Sequence, residues 1–165
     1  MNSLKLKFVF AHTKAARSYA EELSYCTRLK VASIIVKDER LISFGYNGMP
    51  AGQPNVCELE DGSTNPKVIH AEINALKKLI RCNDSSVDSI MFSTDSPCID
   101  CAISIAESGI KAVLFDRKFR DCSGINYLLN KGIRVFRVDL EAKQIFSYDS
   151  FHKIERLVDT PHISF

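Results

Sequence analysis

From residue 89 to residue 138 the chain alternates β-rich runs with segments of helical periodicity, and this alternation restricts the fold more than any other feature of the sequence. Residues 89–94 read as a strand, 99–108 as a helix ended by Gly109, 112–115 as a strand, 124–130 as a helix ending near Gly132, and 134–138 as a strand. Strands linked through helices return to the same sheet by right-handed crossovers, so this half of the chain predicts a parallel sheet portion. Upstream, residues 31–36 and 41–46 are β-rich and joined by the polar run from Lys37 to Arg40, the pattern of an antiparallel hairpin. Two further helices are predicted at 11–25 and at 69–81, the second with Ile73, Leu76, Leu79 and Ile80 on one face. Residues 47–66 read as a long loop, and 139–165 are too polar to assign to a core element. The expectation is an α/β protein with a three-layer α/β/α arrangement.

Length and charge narrow the class. At 165 residues the chain fits one domain, 1–165, with its core at about 10–138. The 22 Lys and Arg residues against 20 Asp and Glu leave a formal charge of only +2, which argues against a nucleic-acid partner, because such binding draws on clustered surplus cations. A small phosphorylated ligand is compatible with that balance. No apolar run reaches the ~20 residues a spanning helix needs, and the first ten residues are interrupted by Lys, so no membrane role and a cytoplasmic location are expected. The six cysteines are expected to be reduced thiols, since a CxxC pair after a distant HxE favours metal binding over disulfides.

The chemistry-bearing residues fall at two predicted helix starts. His70-Ala71-Glu72 opens one helix, and Pro97-Cys98-Ile99-Asp100-Cys101 opens another directly after a strand. Zn²⁺ favours imidazole and thiolate, and catalytic sites use three protein ligands, leaving one coordination position open. His70, Cys98 and Cys101 supply that count, with one zinc per chain. The positive end of the helix dipole favours the thiolate forms of Cys98 and Cys101. Glu72 lies in the same first turn as His70 but on another side, free to move protons while the metal makes water nucleophilic near neutral pH. A lone CxxC is more often structural, yet a structural zinc wants four ligands and no fourth Cys or His lies close to either half. The order H-x-E then P-C-x-x-C is a general signature of zinc deaminases acting on nucleobases.

With Gly45-Tyr46-Asn47-Gly48-Met49-Pro50-Ala51-Gly52 added to these two motifs, the region from Cys26 to Val138 resembles the deoxycytidylate deaminase branch of the cytidine deaminase superfamily. The resemblance implies a five-stranded mixed sheet, strands one and two antiparallel, and hydrolysis of dCMP to dUMP and ammonia, a thymidylate precursor step. It implies that Asn47 contacts the deoxyribose, the Ala71 N–H binds the base carbonyl and the Ser96 carbonyl receives the amine. Phe119 stands near a position where the family often has a Tyr over the substrate. It also implies a homo-oligomer, a hexamer in the family, and control by dCTP and dTTP, with Mg²⁺ accompanying the triphosphate and Gly48 and Gly52 as effector contacts. Each implied role has a plainer reading beside it. Asn47 serves equally as an Asx-turn cap, and glycine-rich turns are often only turns. Cys26 and Cys57 resemble positions where some members hold a second zinc, but no His just before His70 completes such a site, and free thiols are expected there.

Recognition of a 5′-phosphate has five candidates, Arg28, Lys30, Arg117, Lys118 and Arg120, which are otherwise solvated charges. Two other readings stay open: a deaminase of another cytosine nucleotide such as dCTP or a modified dCMP, and a catalytically silent nucleotide-binding protein. Retention of Glu72 counts against the silent binder.

Overall fold

The computed structural model describes residues 3–149 and 155–165. Strand β1 (Ser3–Lys5) runs directly into helix α1 (Leu6–Leu23). Periodicity places the start of this helix at 11, whereas the structure starts it at Leu6. Tertiary contacts explain the extra turn. The Leu6 N–H donates to the Pro161 carbonyl at 3.2 Å, and Leu4 and Val9 are buried in the core that α1 covers. The buried face of α1, Val9, Thr13, Ala16 and Ala20, recurs at helical spacing.

Strands β2 (Ala32–Lys37) and β3 (Arg40–Tyr46) form the expected hairpin, turning through Asp38 and Glu39 at φ of 50° and 62°. After the long loop come α2 (Ala71–Leu79), β4 (Ile90–Asp95), α3 (Ile99–Glu107), β5 (Ala112–Arg117), α4 (Ser123–Asn130) and β6 (Arg134–Asp139). Strands β4, β5 and β6 pair in parallel, as the alternation of strand and helix requires, while β2 pairs antiparallel with both β3 and β4.

The sheet has seven strands in the order β3-β2-β4-β5-β6-β7-β8, which corrects the five expected. The two additions come from the polar C-terminal segment. Strand β7 (Gln144–Tyr148) pairs antiparallel with β6, and β8 (Glu155–Leu157) with β7. A ninth strand, β9 (His162–Ser164), pairs with β1 in a separate two-stranded sheet that seats Leu4 opposite Ile163. These strands are short, and β1 and β9 each bury a single central residue, so they carry little of the apolar signal that marks a core strand. Residues 150–154 of that segment lie outside the described residues.

Alternate residues along the strands feed two cores. On one face Ile34, Phe92 and Leu114 pack against Val9 and Ala16 of α1. On the other, Met91, Val113 and Phe115 pack against Ala75 of α2, Ile105 of α3 and Leu128 of α4. The result is the expected three-layer order, with α1 on one side and three helices on the other. Among the described residues no helix is long and apolar enough to cross a membrane.

Candidate metal centre and substrate cavity

Parallel strands β4 and β5 end on the same side of the sheet, so the helix that follows β4 starts at that edge. Cys98 is the residue immediately before α3, in extended conformation, and Cys101 lies in the first turn of α3. His70 occupies the equivalent place before α2, also extended. Two helix starts therefore deliver three ligand atoms to one point. All three lie within 4.8 Å of one another. A glycine makes part of this possible: a β-carbon on Gly124 of α4 would sit 2.0 Å from the Pro97 carbonyl oxygen, so only Gly lets α4 back onto the turn that presents Cys98.

The spacing fits zinc. Tetrahedral coordination at about 2.3 Å to sulfur and about 2.0 Å to nitrogen requires N···S separations of about 3.5 Å. His70 Nδ1 lies 3.6 Å from Cys98 Sγ and 3.4 Å from Cys101 Sγ. The thiols are electrostatically distinct. The Cys98 thiol falls to about 4, held down first by the Cys101 hydrogen bond and then by that of His70, against the cost of burial. Cys101 is pushed the other way, by its bond to Cys98 and by burial, and the imidazole of His70 is raised by its bond to Cys98.

Glu72 is 5% exposed and its Oε2 lies 3.6 Å from Cys101 Sγ. Burial raises its carboxyl pKa, partly opposed by its own backbone N–H and by His70. A carboxyl that exchanges protons reluctantly with bulk water, placed beside a metal site, is suited to passing a proton between bound groups.

A cavity of about 190 Å³ opens over these residues. Its lining holds His70, Ala71, Glu72, Ser96 and Cys98 at the metal end, with Arg28, Asn47 and Phe119 also among its wall residues. Ala71 is the first residue of α2, so its N–H has no acceptor within the helix. The Ser96 hydroxyl accepts the Phe119 N–H at 2.8 Å, which ties the half-exposed Phe119 to the strand end. Asn47 is more constrained than a sugar contact requires. Its Oδ1 accepts from Ser24 Oγ at 2.7 Å and from the Val31 N–H at 2.9 Å, and its Nδ2 donates to the Leu29 carbonyl at 2.8 Å. One amide hydrogen remains for a ligand.

The five basic candidates separate. Arg28 lines both this cavity and a neighbouring one; its guanidinium donates to Thr64 Oγ1 at 2.7 Å and to the Gly62 carbonyl. Lys30 and Arg117 line a neighbouring cavity of about 440 Å³, where Lys30 Nζ donates to the Glu21 carbonyl at 3.1 Å and Arg117 pairs with Asp95 at 2.8 Å. Lys118 lies 3.9 Å from Glu155 and 5.6 Å from the Tyr148 ring centre, and neither it nor Arg120 lines either cavity. Gly48 exchanges hydrogen bonds with Ile69, its N–H donating at 3.2 Å, and Gly52 has φ of +81°.

The structure also corrects the cysteines. Cys26 and Cys57 are joined in a disulfide, not free, with Cα atoms 5.2 Å apart. Folding the long loop back over residues 24–31 makes the pair, and nothing local in the sequence signals that approach. Sequence reasoning also missed Glu58, Thr64 and Asp95, which line the cavity from loop positions and a strand end. Of these only Asp95, two residues before the PCxxC motif, stood where a local signal existed.

A nitrogen and two sulfurs at paired helix starts, with a buried acid alongside, on a mixed α/β sheet, define a metal-dependent hydrolytic site of the nucleobase-deaminase type. Comparison with known proteins agrees. Residues 7–116 match the model of the cytidine and deoxycytidylate deaminase zinc-binding region. The chain is 33% identical to the deoxycytidylate deaminase of enterobacteria phage T4, over 70% of this chain and 82% of that one. It is 34% identical to the deoxycytidylate deaminase of mycobacterium phage D29, over 60% of this chain and 87% of that one. The crystal structure of the dCMP deaminase of cyanophage S-TIM5, in complex with dCMP and dUMP, superposes with a TM-score of 0.79 at 41% identity, covering 82% of this chain and 99% of that one. The chain belongs to the cytidine and deoxycytidylate deaminase family.

Proposed function

We propose that the protein hydrolyses dCMP to dUMP and ammonia. The observation that carries this reading is the clustering of His70, Cys98 and Cys101 beside the buried Glu72, with His70, Cys98 and Glu72 on the wall of one cavity where, among the described residues, the one cationic side chain outside the metal ligands is that of Arg28. Similarity to phage enzymes named deoxycytidylate deaminase, and to one solved with dCMP and dUMP, supports the same substrate.

His70, Cys98 and Cys101 would hold the zinc. When bound, the ion supplies the Lewis acidity that makes water nucleophilic near neutral pH. The remaining work belongs to the chain. The Ala71 N–H orients the base through its carbonyl, and the Ser96 carbonyl accepts from the exocyclic amine. Glu72 takes a proton from the attacking water and delivers it to N3 of the ring, then takes the remaining proton from the new C4 hydroxyl and passes it to the departing amine. A C4–O bond forms and the C4–N4 bond breaks, so water and dCMP become dUMP and ammonia. Phe119 covers the base. Asn47 shapes the sugar region, chiefly by holding residues 24–31, and Arg28 faces the 5′-phosphate.

The reading takes the chain as one deaminase domain with one zinc, acting in the cytoplasm as a homo-oligomer. Exposed Tyr25, Val56 and Leu59, which flank cavity-lining residues, support self-association. Control by dCTP or dTTP with Mg²⁺ would rest on Gly52, because the Gly48 N–H is already taken by Ile69. Ammonia release measured across dCMP, dCTP, CMP, deoxycytidine and a cytosine oligonucleotide tests the proposal. Turnover strongest with dCMP supports it; turnover led by dCTP or the oligonucleotide, or none at all with zinc bound, overturns it.

A further inference from the structure

The Cys26–Cys57 bond sits in an unusual place. Both residues are nearly fully buried, at 2% and 3% exposure, yet both line the cavity that holds His70 and Glu72. Cys26 belongs to the segment between α1 and β2, which also contributes Arg28 and Leu29 to the wall. Cys57 belongs to the long loop between β3 and α2, which contributes Glu58 and Thr64. The bond therefore staples two walls of the cavity.

At the start of the long loop Asn47 also ties the segments together through Ser24, Leu29 and Val31, but around Cys57 itself the remaining contacts between them are exposed hydrogen bonds. Glu58 accepts from the Thr27 and Arg28 N–H groups at 3.1 and 3.0 Å and from the Thr27 hydroxyl at 3.1 Å. Arg28 returns a bond to Thr64 at 2.7 Å. Water competes for each of these, so they hold the walls together loosely once the covalent link is gone.

We infer that Cys26–Cys57 is a thiol–disulfide exchange site for a dithiol reductant, reached through the substrate cavity, and that its reduction lowers the affinity of the cavity for nucleotide. The inference deepens the nucleotide-hydrolase reading and rests on it. One thiolate of the reductant attacks a sulfur of the pair, and the S–S bond breaks as a mixed disulfide forms. The second reductant thiolate displaces the remaining cysteine thiolate and closes a cyclic disulfide. Two electrons and two protons pass to Cys26 and Cys57, and the reductant is oxidised by the same count. Because both cysteines line the cavity and are otherwise buried, a bound nucleotide blocks the approach of the reductant. Loosened walls must be ordered again on binding, which costs about two- to tenfold in affinity for each side chain so ordered.

The test uses the zinc-loaded full chain, prepared without reductant. Free thiols are alkylated under denaturing conditions and the peptides are mapped by mass spectrometry. The rate of reduction by dithiothreitol is then followed with and without saturating dCMP, and the KM for dCMP is measured in both states, with zinc content checked in each. The expected results are a linked Cys26–Cys57 peptide, slower reduction when dCMP is present, and a KM about two- to tenfold higher after reduction that returns on reoxidation. The Cys26→Ser/Cys57→Ser double variant should show the higher KM and no response to reductant. Alkylation of both cysteines before any reductant is added overturns the inference. So does an unchanged KM on reduction, or a second zinc per chain that the double variant loses. Absence of turnover in both states, with the linked peptide present, overturns the activity reading itself and the inference with it.

Discussion

Gly45 on β3 and Ala75 on α2 approach so closely that a β-carbon built on the glycine would lie 2.3 Å from the Ala75 amide nitrogen and 2.4 Å from the Ala71 carbonyl oxygen. Ser43 Oγ donates to the Ala75 carbonyl at 2.7 Å and Asn74 Nδ2 to the Tyr46 carbonyl at 2.9 Å, so helix and strand are locked on both sides of the glycine. The helix that carries Glu72 and begins after His70 is thus placed by backbone contact.

Gly45→Ala must push α2 away from the sheet. Overpacking of this kind typically costs about 1–3 kcal/mol, and here it also displaces His70 from Cys98 and Cys101. Thermal unfolding should show a lower midpoint and metal analysis a lower zinc content. Gly48→Ala, three residues on, is the control, because its added β-carbon would meet nothing within 4 Å. Equal effects of the two substitutions would refute the packing argument.

Purified protein is expected to contain about one zinc per chain, and Cys98→Ala or Cys101→Ala to lose it, since either change leaves an incomplete ligand set. Elemental analysis after dialysis decides this. Full zinc retention in both variants would move the metal elsewhere.

Glu72→Ala should keep the zinc, because the carboxyl lies outside the ligand triad. Deaminase activity should nonetheless fall by the ~10²–10⁴-fold typical of a lost general acid–base. Near-normal kcat with bound metal would remove Glu72 from proton transfer.

Arg28→Ala is expected to raise the KM for dCMP about ten- to a hundredfold, the worth of a charge-assisted contact to phosphate. Slow turnover of deoxycytidine, which has no phosphate, should hardly change, and this control separates phosphate recognition from loosening of the Thr64 contact. Lys118→Ala and Arg120→Ala should leave both substrates unaffected, as neither side chain lines the cavity. An equal effect of Arg28→Ala on nucleotide and nucleoside would place phosphate binding elsewhere.

Acid should loosen the C-terminal edge of the sheet. Glu155 on β8 accepts from Arg137 on β6 at 2.9 and 3.1 Å and from the Tyr148 hydroxyl. Burial pushes its carboxyl up, but the hydrogen bonds from Arg137 and Tyr148 outweigh this and hold it below the usual carboxylate range. A folded pKa below the unfolded value of about 4.3 means the contribution is present above that pH and is lost as pH falls through the folded value. For a partly exposed pair it amounts to about 1 kcal/mol or less. The difference in denaturant midpoint between wild type and Glu155→Gln should be visible at pH 7 and shrink toward zero in acid; a gap independent of pH would count against this account.

The sequence by itself determined the candidate metal cluster and the central architecture. His70, Glu72, Cys98 and Cys101 were legible because each pair lies within four residues of chain at a helix start, where local geometry alone sets the direction of the side chains. The parallel order of β4, β5 and β6 was legible because apolar periodicity alternates between two and 3.6 residues along that stretch. Only the tertiary structure decided what depends on distant segments meeting. The joining of Cys26 to Cys57 and the presence of Arg28, but not Lys118 or Arg120, on the cavity wall follow from where long loops close, and no local periodicity records that. Strand β7 is set by pairing with β6, β8 by pairing with β7, and β9 by pairing with β1. A short strand with at most one buried residue gains its stability from the partner's hydrogen bonds, and those bonds leave no mark in the composition of the strand itself.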